Sequence, residues 1–357
     1  MLRSRTPPAT WWICGLLLAA TILNYLDRQV LSLTAEKIIA EFHLDQERFG
    51  RILAAFRYSY AVVQIGGGWL VDAFGARLIY PAAVGLWSLA GAATALAGSF
   101  GVLSACRFVL GIGEAFNWPC ALKVTERLVP PADRPLANGI FNSGTAAGAI
   151  LAPLVVTGLT LHFGWRSPFV FTGALGALWV AIWLVYMSGK SASLRAQPVA
   201  PAAIPGVISR VLGSRGFWML ATAAVVVNSV SYFLADWIPL YLKTERGFSF
   251  GTGNALVILV YAGLDAGNLA VGFYVRRLVD RGCTVVAARN QALLLSCLCM
   301  SAATLAGWSP SAWVALGCII LTAIGVAGFL VIYLTLVQDL DPVHVGTTAG
   351  LLGGLGN

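Results

Sequence analysis

Charge is scarce in this chain: Asp, Glu, Lys and Arg make up 11% of its 357 residues, against roughly 25% in soluble domains. So few ionised side chains cannot cover a soluble surface. Histidine is almost absent as well. His43, His162 and His344 each fall in a segment read as a loop, and no HExxH or nucleophile–histidine pattern accompanies them. That argues against an enzyme with a metal or triad centre, and no cofactor or metal is expected. The seven cysteines, at 14, 106, 120, 283, 297, 299 and 318, form no CxxC and stand near no His pair. They read as small buried hydrophobes rather than metal ligands or redox groups. The N-terminal segment is expected to be a first transmembrane helix rather than a cleavable leader: Arg3 and Arg5 precede an apolar run reaching about Leu33, with no obvious small-residue cleavage site.

What is present is apolar. Hydrophobic residues make up 58% of the chain, and the mean hydropathy is +0.80. Runs long enough to span a bilayer as helices lie at 12–33, 52–71, 78–98, 101–122, 138–160 and 168–188, then at 217–241, 254–275, 284–307 and 312–335. An eleventh begins near Gly346, and the sequence stops inside it at Asn357. The fold class expected is an all-α membrane protein. It would have a first transmembrane half at 1–188, a cytoplasmic linker at 189–216, and a second half at 217–357, truncated in helix eleven. The linker is marked by Pro198, Pro201 and Pro205 and by Lys190, Arg195, Arg210 and Arg215.

The formal net charge is +8. Its basic residues sit in short loops between apolar runs, so it reports membrane topology and not nucleic-acid binding. With the N-terminus inside, the inner loops hold about 14 Lys and Arg and the outer ones about six, as the positive-inside rule requires. Two pseudo-symmetric six-helix halves would place a substrate site near the bilayer midplane, between them.

Ionisable groups in mid-membrane are costly, so those present pair with one another or line a polar cavity. Helix one holds Asp27 next to Arg28, either as a structural ion pair or as a protonatable carboxylate beside a cation. Helix four holds Arg107 and, two helical turns on, Glu114 on the same face, with Asn117 and Trp118-Pro119 following. A buried Glu can take up and release a proton, and the proline interrupts the backbone ladder. Helix two presents Arg57, Tyr60 and Gln64 along one stripe. Arg57 lies nearer the outer end, where it either faces the cavity or snorkels to the headgroups. In the second half Asn228, Tyr232, Asp236 and Trp237 share one segment, and Asp265 and Asn268 the next.

Gly68-Trp-Leu-Val-Asp72-Ala-Phe-Gly75-Ala-Arg77 resembles the signature loop between helices two and three of the major facilitator superfamily, with Ala76 where a basic residue is usual. Its glycines permit a tight turn and close helix contact. Asp72 and Arg77 can pair there, and Gly68, Asp72, Gly75 and Arg77 would act as a conformational latch. Asn24-Tyr-Leu-Asp27-Arg28, together with Arg107-Phe-Val-Leu-Gly111-Ile-Gly113-Glu114-Ala-Phe-Asn117-Trp118-Pro119, resembles the anion:cation symporter branch. Within that branch the chain is most similar to bacterial hexuronate and other sugar-acid permeases.

The resemblance implies a proton-coupled importer of a small organic anion, monomeric, in the bacterial inner membrane. Asp27 and Glu114 would be the proton sites, Arg107 would couple substrate and proton occupancy, and Arg28 would lie at the anion site. Tyr25, Tyr60, Gln64, Asn142 and Asn357 match cavity positions. Arg57 stands where the family has a small residue, and a second cavity cation would suit a dicarboxylate or a bulkier anion. Other carboxylates, aromatic or tartrate-like, are the alternative substrates. An efflux antiporter of the same fold is disfavoured, because Gly144-Thr-Ala-Ala-Gly148-Ala149 lacks the Gly-Pro pair usual in the fifth helix of antiporters.

Overall fold

The computed structural model describes residues 6–188, 204–236, 238, 241–242, 245–247 and 250–356. Among these the chain is helical throughout, without strands. The first set comprises α1 (Pro8–Leu33), α2 (Ala35–Phe42), α3 (Gln46–Phe74), α4 (Ala76–Thr94), α5 (Phe100–Glu114), α6 (Asn117–Leu128), α7 (Arg134–Phe163) and α8 (Ser167–Ser188). The second comprises α9 (Ile204–Gly213), α10 (Arg215–Asp236), α11 (Phe250–Asp280), α12 (Val285–Met300), α13 (Ala302–Trp308), α14 (Ala312–Leu340) and α15 (Val345–Gly356). Residues 189–203 of the expected linker lie outside the described residues, and its remainder holds α9.

The ends of these helices follow from local chemistry. Asp45, Ser99, Thr284 and Ser311 are N-caps whose side chains accept from the backbone N–H three residues on, at 2.7, 3.3, 3.2 and 3.5 Å. Gly75, with φ +82°, closes α3 and starts α4, a left-handed conformation that favours glycine. The apolar run 101–122 is not one helix. It breaks between Glu114 and Asn117, where Pro119 removes a backbone donor and crowds the carbonyl of Ala115.

Six helical segments are long and apolar enough to cross a membrane, or seven if the bent pair Gly206–Gly213 and Arg215–Ser231, angled by 72°, is one span. The other runs expected to span are helical too, but α3 carries charges near both ends, α5 and α6 are split, and α15 is short. Large apolar side chains such as Trp12, Leu154, Phe163, Val185 and Trp308 stay exposed, as a lipid-facing surface requires.

Inside the first set, α1 packs on α7, α3 on α5, and α4 on α5 and α8. Tyr80, Trp179 and Trp183 form a buried aromatic knot. Its indole N–H groups donate to the carbonyls of Leu16 (2.8 Å) and Arg77 (3.2 Å), which satisfies their only polar atoms and ties α8 to α1 and α4. In the second set α14 is central, touching α10, α11, α12 and α13.

The two sets meet chiefly through α3 against α15 and α7 against α11. Small residues make both contacts possible. A Cβ added at Gly68 would fall 1.9 Å from the carbonyl oxygen of Gly346, and one at Gly139 would fall 2.1 Å from that of Asn268. Only backbone fits at either crossing.

Candidate transport site

A cavity of about 390 Å³ lies between the sets, within the size range of small-molecule sites. From the first set it is lined by Tyr25, Arg28, Gln29, Tyr60, Gln64 and Asn142, and from the second by Asn228, Ser231, Tyr261, Asn268 and Tyr333. Among the described residues, Arg28 is the one Asp, Glu, Lys or Arg side chain in this wall.

Arg28 reaches across from α1 to α5. Its Nε donates to Glu114 Oε2 at 2.7 Å, and its side chain is 26% exposed while that of Glu114 is 0% exposed. The guanidinium also lies over the rings of Tyr60 (4.6 Å), Tyr25 (5.1 Å) and Phe56 (5.3 Å). Three aromatic faces and one carboxylate therefore hold the cation in place. The arrangement is not saturated: Arg28 Nη2 and Glu114 Oε1 are buried without hydrogen-bond partners. A guanidinium with a spare donor facing a cavity can take an anion's oxygen.

Asp27 and Arg107 stand behind this wall. Asp27 is 3% exposed, its Oδ2 has no hydrogen-bond partner, and Thr172 lies beside it. Arg107 is equally buried, 5.7 Å from the Phe169 ring, with Nε and Nη2 unpartnered. Its charge acts on both Asp27 and Glu114. Arg107, expected to couple substrate and proton occupancy, is not among the residues that line this cavity. The buried pair is Arg28 with Glu114, and the adjacent Asp27 and Arg28 point to different surroundings on successive residues of α1.

Arg57 takes the outward of the two positions expected for it. It stands on the exposed face of α3, outside the cavity lining. Tyr60 and Gln64, three and seven residues further on, are buried and do line it. The helical stripe holds, and its outermost member faces away. Asn142 donates to Asn268 Oδ1 at 2.7 Å, joining α7 to α11 at the cavity wall. Asn357, Trp237 and the side chains of Tyr232 and Asp236 lie outside the described residues.

The latch residues meet partners that the sequence did not suggest. Asp72 pairs with Lys123 Nζ at 2.9 Å, both side chains being nearly inaccessible. It also accepts from the N–H groups of Gly346 (3.1 Å) and Thr347 (2.7 Å) and from the Thr347 hydroxyl (2.8 Å). Asp72 therefore caps the N-terminus of α15, where free backbone donors and the helix dipole favour an anion. Asp72 thus pairs with a cation of its own helix set, Lys123, and bonds across the sets to α15. Lys123 adds a bond to the Val343 carbonyl at 2.6 Å. In the sequence Lys123 sits just past the apolar run, with Glu126 and Arg127 close behind, and nothing there sets it apart from an ordinary charged helix end.

A second ionic contact spans the sets at Asp339, which pairs with Arg134 (3.2 Å) from α7 and with Arg289 from α12. Arg134 further donates to the carbonyls of Glu126 (2.8 Å) and Val129 (3.1 Å). Asn138, Thr125 and Gln338 form a buried network nearby, Gln338 donating to Thr125 Oγ1 at 2.6 Å and Asn138 to Gln338 Oε1 at 3.0 Å.

Comparison with known proteins fits this arrangement. The family model described as Major Facilitator Superfamily matches residues 17–357. A hexuronate transporter of Bacillus subtilis (strain 168) is 28% identical over 356 residues, covering 96% of this chain and 83% of its own length. A probable galactarate/D-glucarate transporter, GudP, of the same organism is 28% identical over 377 residues, covering 97% and 81%. The galacturonate transporter of Dickeya chrysanthemi is 27% identical over 328 residues, covering 86% and 94%. Among solved structures, FucP in the outward conformation superposes with a TM-score of 0.75 at 14% identity, covering 97% of this chain and 90% of that one. The proton:xylose symporter XylE superposes with a TM-score of 0.69 at 16% identity, covering 97% and 85%. From its residues 17–357 and from its helical architecture, this chain belongs to the Major Facilitator Superfamily, a family of transporters rather than enzymes.

Proposed function

We propose that the chain is a proton-coupled symporter that imports a sugar acid, a hexuronate or a close relative, by alternating access. The observation that carries this reading is the Arg28–Glu114 pair in the wall of a largely apolar cavity whose other polar side chains are hydroxyls and amides. Arg28 is the anion site, and Glu114 competes for it. A proton on Glu114 removes the competing charge and leaves the guanidinium to the substrate carboxylate. Tyr25, Tyr60, Gln64 and Asn142 take the hydroxyls. Asp27 is the second proton site, and Arg107 acts on both acids by its charge without touching substrate. The names of the similar proteins, hexuronate and galacturonate transporters among them, support the substrate class.

The halves of this reading are 1–188 and 217–357, joined by a linker at 189–216. They rock about the cavity, and the contacts of Asp72 with Lys123 and α15 hold one access state. The N-terminus is cytoplasmic, the membrane is the bacterial inner one, and a monomer suffices.

The test is uptake of labelled galacturonate or glucuronate by proteoliposomes, with and without an inward proton gradient. Gradient-stimulated uptake that a protonophore abolishes is the expected result. Equal uptake in both conditions would remove the coupling, and no uptake of either acid by folded protein would remove the substrate class.

A further inference from the structure

The polar inventory of the cavity is lopsided. One end holds the cation Arg28 against Glu114. The second set contributes only uncharged polar groups among the described residues: Asn228, Ser231, Asn268, Tyr261 and Tyr333. Behind that far wall, one helical turn before Asn268, stands Asp265. Asn268 and Ser143 lie beside its carboxyl, and its Oδ1 is buried without a hydrogen-bond partner. Arg57, the residue that would have supplied a second cation, is outside the cavity.

We propose that this cavity selects polyhydroxy acids bearing a single carboxylate and rejects the dicarboxylates of the same carbon skeleton, with Asp265 as the specificity-determining residue of the far wall. The inference rests on the sugar-acid reading above and names the substrate class within it. One carboxylate finds Arg28. A second, at the other end of a six-carbon chain, finds amides and hydroxyls backed by the Asp265 carboxyl, with no cation among the described lining residues there to offset its lost hydration. Like charges brought together in a poorly solvated site repel strongly. A hydroxyl or ring oxygen at the same place meets donors in the Asn and Tyr side chains and can itself donate toward an under-satisfied wall. Discrimination by an unfavourable charge contact acts on the wrong ligand without weakening the right one. Asp265 acts through Asn268, whose Oδ1 already takes the Asn142 donor, and so positions the amide that the substrate's far end meets.

The experiment is competition in proteoliposomes that take up labelled galacturonate, with unlabelled galacturonate, galactonate and galactarate as competitors. Direct uptake of labelled galactarate is measured in parallel. Galacturonate and galactonate should compete within a few-fold of each other, and galactarate at least ~30-fold more weakly. In Asp265→Asn, checked for monodispersity, the strength of galactarate as a competitor relative to galactonate should recover by about tenfold. Galactarate competing as well as galacturonate, or being carried as fast, would overturn the proposal and leave the sugar-acid reading standing. No uptake of any of the three acids would overturn that reading, and this one with it. A wild-type preference that persists undiminished in Asp265→Asn would overturn the role of Asp265.

Discussion

Arg28 and Glu114, 86 positions apart in the chain, meet at 2.7 Å with the acid fully buried and the base facing the cavity. One partner of this pair is open to a ligand and the other is not. The proposed coupling rests on that asymmetry, because a proton on Glu114 would leave Arg28 free for the substrate.

Replacing Glu114 by Gln keeps the shape and removes the charge. Proton-driven accumulation should disappear, while substrate exchange between the two sides of a loaded vesicle persists at a comparable rate. Counterflow at symmetric pH measures the second, and uptake under a proton gradient the first. If Glu114→Gln still accumulates substrate against a gradient, the assignment of the proton site is wrong.

Arg28→Ala leaves Glu114 as a buried charge without its partner and removes the anion site. Losing one member of such a pair costs roughly 3–5 kcal/mol, enough to abolish measurable uptake. Arg28→Lys keeps the charge but not the planar stack on Tyr25, Phe56 and Tyr60, so affinity should fall about tenfold or more. Concentration-dependent uptake distinguishes the two variants.

Arg57→Ala should change little. The side chain is on the exposed face of α3 and misses the cavity, and exposed substitutions away from special features shift stability by about 0.5 kcal/mol or less. Uptake within about twofold of the parent is expected. A large loss would return Arg57 to the site.

Asp72→Ala removes the partner of Lys123 and three hydrogen bonds at the start of α15. The end of the molecule where α3 meets α15 should open more readily. A cysteine placed at Thr347 would then react faster with a membrane-impermeant thiol reagent added from the cytoplasmic side, in a background lacking the native cysteines. Asp72→Asn, which keeps acceptor capacity without charge, should fall between. No change in labelling for Asp72→Ala would show that this contact does not hold the closed end.

The legible part of this molecule was the part that membranes make expensive. Asp27, Arg28, Arg107 and Glu114 stood out in the sequence because few charges share their surroundings, and all four do lie together within the first helix set. Their pairing was not legible. Arg107 and Glu114 share a helix face, yet the break at Ala115 and Phe116 and the reach of Arg28 from α1 decide which base meets the acid. Glycines of α15 pack closely against α3, and a Cβ at Gly350 would lie 2.5 Å from the Gln64 carbonyl. The partners of Asp72 were not readable, because a helix N-terminus that arrives 274 positions later leaves no mark beside the motif it completes. Arg57 stayed open between two positions because helical spacing aligns residues on a stripe but does not say where the cavity's edge falls across it.

The crossing of α7 and α11 bears on motion as well as packing. Gly139 rests directly on the Asn268 carbonyl, and the side chain of that same Asn268 meets Asn142 at the cavity wall. Two backbones with nothing between them can roll but cannot be pressed closer, so in the proposed alternating access the contact would serve as a fulcrum. Asn268 itself lines the cavity, so this fulcrum sits at the load. It would give the ligand little leverage for displacement and much for angle: a small tilt that barely disturbs the Asn142–Asn268 bond would be multiplied along α7 and α11 toward the ends that lie farther from Gly139 and Asn268.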